Sequence, residues 1–196
     1  MNRKLIYHLI IGFVLIVAQA TCKTSMTLDN YRAYVLNPRN GFLQNAETNR
    51  IKYELLYKPL PLVFPKHNIS DEQKTDYVDM HYFQLSMSTR SGNEIVELVN
   101  NQSDYQLLLQ TLQTGIEANT LIITDKGYTL HPVASEYSNL YNHGIRTNVL
   151  LVFRNPEIGD SKSFEVRINN LFPVDREEVT FHYNTKQIMK IPELIN

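Results

Sequence analysis

The sequence predicts a mostly β domain of the α+β class, an antiparallel β-sandwich-like fold with one well-defined amphipathic helix and a short N-terminal helix. Three observations carry that expectation. Apolar and polar residues alternate with a period of two over several short segments, the pattern of half-buried strands. The strand candidates of the C-terminal third recur at roughly ten to fifteen residues, the spacing of antiparallel hairpins and sandwiches. Only one stretch, residues 103–117, holds helical periodicity over any length, whereas a doubly wound parallel sheet needs several crossover helices. At 196 residues, 43% hydrophobic and 20% charged, the chain falls in the range of a globular protein. No internal repeat or long Gly/Ser/Pro linker divides it past its first 27 residues, so residues 28–196 are expected to form one domain.

In chain order, Leu28 to Leu36 reads as a short helix with Asp29 in its first turn, ended by Asn37-Pro38 and the Arg39-Asn40-Gly41 turn. Phe42 to Tyr57 reads as a hairpin whose turn lies between Asn45 and Asn49. Lys58 to Leu62 carries two prolines that cannot donate to a ladder, so it is expected along an edge or as an extended crossing. Polar residues 65–76 read as a loop. Tyr77 to Thr89 is the longest strand candidate, apolar over part of both faces, as a strand covered on both sides would be.

Ser103 and Gln106 match a capping box, with Tyr105, Leu108, Leu109, Leu112 and Ile116 following as a helical stripe. Thr120 to Thr124 and Tyr128 to Val133 flank the turn Asp125-Lys126-Gly127. Asn148 to Phe153 is an unbroken apolar run, the mark of a buried strand, and strict alternation marks two half-buried strands around Phe164–Ile168 and Val179–Tyr183.

Charge and composition narrow the function classes. Lys plus Arg number 19 against 20 Asp plus Glu, a net charge of −1 that offers no basic excess for nucleic acid. A single cysteine excludes an internal disulfide and a CxxC zinc site.

The N-terminus is more informative. Arg3 and Lys4 form a short positive region before the mostly apolar run Leu5 to Ala18. As a helix that run rises roughly 21 Å, short of the roughly 30 Å hydrocarbon core, so it reads as an export signal covering residues 1–21. Two processing sites compete. Ala18-Gln19-Ala20 suits ordinary signal peptidase and would leave a soluble protein starting at Thr21. The segment Val17-Ala18-Gln19-Ala20-Thr21-Cys22 resembles the lipobox of bacterial lipoproteins, in the looser form of the Bacteroidota type. It departs from the common pattern at Gln19, where Leu is usual, and at Thr21, where Gly or Ala is usual. The resemblance implies a diacylated Cys22 as the new N-terminus, with residues 22–27 as a short tether and the membrane as a partner through the lipid. Several acyl chains on one cysteine make release negligible. No acidic cluster follows Cys22, which favours a periplasm-facing position, outer membrane over inner, and leaves the cell surface open as a second location.

The search for chemistry returns little. The sequence holds no G-x-S-x-G, H-E-x-x-H, Walker or G-x-G-x-x-G motif. The six histidines stand far apart; a metal site built from His81, His182 and a carboxylate is weighed against the commoner outcome, ordinary histidines on the outer faces of strands, and no metal or other cofactor is expected. Asp125-Lys126-Gly127 is what a hairpin turn requires rather than a reactive pair. Tyr137, Tyr141 and His143, with Tyr82, are the candidate binding rim, although a tyrosine-rich loop more often anchors onto its own core. The sequons at Asn68 and Asn101 matter only in a eukaryotic secretory pathway. The expectation is therefore a non-catalytic, lipid-anchored accessory or structural component of a cell-envelope complex, partnered by another envelope protein. A glycan- or peptide-binding lipoprotein is the alternative, and an enzyme the reading with least in the sequence to carry it.

Overall fold

The structure is a computed structural model that describes residues 25–64, 77, 79–137, 146–154, 157–169 and 175–195. The signal segment, Cys22, the loop expected at 65–76, Tyr141 and His143 lie outside the described residues. The chain divides into two compact units: the described residues up to Tyr31 together with those from Pro192 onward, and Arg32–Ile191.

In the small unit, β1 (Ser25–Met26) pairs in parallel with β11 (Glu193–Leu194), and the Ile195 N–H donates to the Met26 carbonyl at 2.9 Å. Strand β1 takes up residues that the sequence assigns to the tether. Helix α1 occupies Leu28–Leu36, as expected. The Asn37 side chain then accepts from the Arg39 N–H, Pro38–Asn40 forms a 3-10 turn, and Gly41 closes it at φ 77°, a conformation that glycine adopts without a Cβ penalty. The Gln187 side chain lies where a Gly41 Cβ would stand and donates to the Arg39 carbonyl at 3.1 Å.

The larger unit carries two antiparallel sheets, the mostly β, α+β architecture that the sequence predicts. Strands β2 (Leu43–Glu47), β3 (Ile51–Tyr57), β4 (Met80–Thr89), β7 (Ala134–Tyr137) and β8 (Thr147–Arg154) form a five-stranded sheet in the order β2-β3-β4-β8-β7. Strands β5 (Thr120–Thr124), β6 (Thr129–Leu130), β9 (Ser163–Ile168) and β10 (Val179–Asn184) form a four-stranded sheet in the order β10-β9-β5-β6. Phe83 of β4 joins the two: its ring centroid lies 6.1 Å from Phe164 and 5.6 Å from Tyr183, both edge-to-face, and 5.6 Å from Phe153 in its own sheet. Tyr183 stacks on Phe164 at 5.2 Å and donates its hydroxyl across the interface to the Leu55 carbonyl at 2.7 Å.

Several elements differ from the sequence reading. The long strand begins at Met80 rather than Tyr77, and the return strand after Gly127 shrinks to Thr129–Leu130. Beyond Pro132 the chain re-enters extended structure as β7, in a stretch read as a polar loop. Lys58–Leu62 is not extended throughout, because Leu60–Val63 forms one helical turn, α2, with Pro59 at its N-cap and Pro61 in its first turn, where a missing N–H costs nothing.

Helix α3 spans Gln102–Gln110, and its N-cap is Asn101 rather than Ser103. Asn101 Oδ1 accepts from the Asp104 N–H at 2.8 Å while its Nδ2 donates to Asp104 Oδ2 at 2.9 Å, a reciprocal cap that asparagine makes as well as serine. Thr111–Gly115 continues α3 as a π-helical turn. The Thr111 and Thr114 hydroxyls donate back to the Leu107 and Gln110 carbonyls, which loosens the α ladder there. The predicted stripe survives that change: Leu108, Leu112 and Ile116 are all buried. Two further helical turns, α4 (Glu157–Asp160) and α5 (Thr185–Met189), bracket β9 and β10.

The β2–β3 hairpin is pinned at its turn by the segment before β10. The Thr48 hydroxyl donates to Asp175 Oδ2, Asp175 Oδ1 accepts from the Glu177 N–H at 3.2 Å, and Asn49 Nδ2 donates to Glu177 Oε1 at 2.7 Å. Asp175 is buried, so losing either partner leaves a polar group without its hydrogen bond.

Three outcomes are expected. Phe83→Ala should cost about 3–5 kcal/mol in chemical denaturation, the range for deleting a buried phenyl ring; a loss under about 1 kcal/mol would contradict its place between the sheets. Asp175→Ala and Thr48→Val should each cost about 1–3 kcal/mol, and a double-mutant cycle should show them coupled. Alkali should also destabilise the fold. Burial pushes Tyr57 up to about 12 and raises Tyr183 well above its usual value, and Tyr53 is raised by burial and by the nearby Asp175 and Glu177 carboxylates. Since the fold favours the neutral phenols, their contribution is complete below about pH 10, the ordinary tyrosine value, and is lost as pH rises from there towards the folded-state values. Absorbance titration should show these phenols ionising only with unfolding; free ionisation near pH 10 in the folded protein would contradict their burial.

Candidate functional site

Register decides which face each candidate residue occupies. In the five-stranded sheet, side chains of paired residues stand side by side on one face and successive residues alternate faces. The inward rows run Tyr57-Phe83-Leu151-Ser135 and Gln44-Leu55-Leu85-Val149-Tyr137, and the outward rows lie between them. Tyr137 therefore stands on the core face at the edge of the sheet. Burial, with Tyr105 and Glu94 nearby, raises its phenol above the ordinary tyrosine value. Tyr82, paired with Val152, stands on the opposite, outer face, where Phe64 packs on it edge-to-face at 6.2 Å and Tyr77 lies 5.2 Å from Phe64. The structure does not bring Tyr82 and Tyr137 together, and Tyr82, only 6% exposed, offers little ring surface. Tyr141 and His143 lie outside the described residues, as does Cys22.

The histidines separate in the same way. His81 is not the surface residue expected: it pairs with Phe153 on the inner face, is buried, and has Nδ1 3.2 Å from the Tyr57 hydroxyl. His182 is exposed on the outer face of the other sheet, with Nδ1 3.4 Å from Glu165 Oε1. The two cannot share an ion. Among the described residues no three His, Cys, Asp or Glu side chains are grouped to hold a metal. Asn101, one of the sequon asparagines, has its side-chain amide engaged as the α3 cap.

What the alternation did reveal only in part is the outer face of the five-stranded sheet. One row crosses all five strands: Leu43, Leu56, Gln84, Leu150 and Glu136. Tyr82 and Val152 extend it on one side. On the other side come Asn45, Glu54, Ser86 and Asn148, then Glu47, Lys52 and Ser88. Leu43, Leu56, Leu150 and Val152 are all half-buried. The face is thus apolar at one end and polar at the other. At the polar end Arg146 pairs with Glu54, Arg90 donates to Glu47 at 3.1 Å, and the Ser86 hydroxyl donates to Asn148 Oδ1 at 2.6 Å. A cleft of about 220 Å³ opens among Lys52, Glu54, Ser86, Ser88 and Arg146.

The four-stranded sheet has a different outer face. Glu165 binds Arg167 through Nε at 3.1 Å and Nη2 at 2.8 Å and faces His182, beside a cleft of about 330 Å³ that reaches Asp125 and Ser163. These are solvent-screened pairs worth little to stability.

No family model matches the chain, and the searches of curated proteins and of solved structures return no match to it.

Proposed function

We propose that this protein is a non-catalytic, lipid-anchored component of a bacterial cell envelope that holds a partner protein against the outer face of its five-stranded sheet. The observation that carries this reading is the register: it gathers the half-buried Leu43 and Leu56 and, across Gln84, the half-buried Leu150 and Val152 at one end of a face whose other end carries paired charges. An apolar patch bordered by polar and charged side chains is a composition found at protein interfaces.

The anchor rests on Cys22 and the lipobox-like segment before it. Strand β1 begins at Ser25, three residues beyond that cysteine, a reach of at most about 11 Å when fully extended. No helix among the described residues is long and apolar enough to cross a membrane, and attachment in this reading comes from the lipid. The glycan-binding alternative draws less support, because the tyrosine on this face is covered by Phe64.

Two expected outcomes separate anchor from interface. In the native host, Cys22→Ser should move the protein from the membrane to the soluble fraction and remove the acyl mass from its N-terminus; unchanged partitioning and mass would end the anchor reading. Leu56→Glu with Leu150→Glu should leave the protein folded by circular dichroism and still membrane-bound. The same variant should lose, at least tenfold, whatever proteins co-purify with the tagged wild type in mild detergent. Equal recovery of those proteins would end the interface reading while leaving the anchor intact.

A further inference from the structure

We draw no further inference here: the strongest candidate, the half-buried Glu165 and Arg167 with the exposed His182 beside the cleft on the outer face of the four-stranded sheet, pairs its charges with one another, and no buried unpartnered group among the described residues there points to a ligand.

Discussion

The larger unit depends on one ring. Phe83 lies on the middle strand of the five-stranded sheet and meets Tyr57 and Phe153 within that sheet and Phe164 and Tyr183 across the core. Edge-to-face contacts bring the positive edge of one ring to the negative face of the next, and each adds roughly 0.5–1.5 kcal/mol beyond the area it buries. Tyr183 completes the junction by stacking on Phe164 and donating to the Leu55 carbonyl. Its hydroxyl is buried with a partner, so the two sheets are held at a defined offset as well as pressed together.

That junction also fixes what the protein shows to its surroundings. With Phe83 turned inward, the pleat turns Tyr82 and Gln84 outward, and pairing carries the choice through β3 and β8. A slip of one residue would turn every side chain to the other face, so packing inside selects the outer rows. Two of the four sheet edges in the larger unit are less open to a partner strand. The β2–β3 turn is stitched to the segment before β10 through Thr48, Asn49, Asp175 and Glu177. On the other sheet β6 is only two residues long, and His131 Nδ1 sits 3.2 Å from the Thr120 carbonyl, occupying an acceptor that another strand would use.

Much of the fold is legible in the residues because it is local. Helix α1 ends where Asn37-Pro38 ends it, the α3 stripe packs where its spacing points, and Asp125-Lys126-Gly127 turns with Gly127 at φ 86°. What stayed hidden depends on distant partners. Strand β7 carries no apolar run of its own and exists because β8 pairs with it. The opposite faces of Tyr82 and Tyr137 are not legible in the sequence, because alternation within a strand does not say which face meets the core, and β4 is apolar over part of both. His81 misled for the same reason: its inward direction follows from pairing with Phe153, seventy-two positions away. The outer-face row could be glimpsed in Leu43, Leu56 and Leu150 individually, but their adjacency is purely a matter of register.

Anchor and face suit each other energetically in the proposed reading. Four strands set about 4.8 Å apart give the row from Leu43 to Leu150 a width near 14 Å, enough for one element of a partner and well short of a large obligate interface. Gln84 at its centre and Glu136 at its end further limit the apolar area. A surface of that size binds weakly in free solution. Confinement to a membrane changes the balance, since two molecules held at one surface meet at a much higher effective concentration and need less contact energy to remain together.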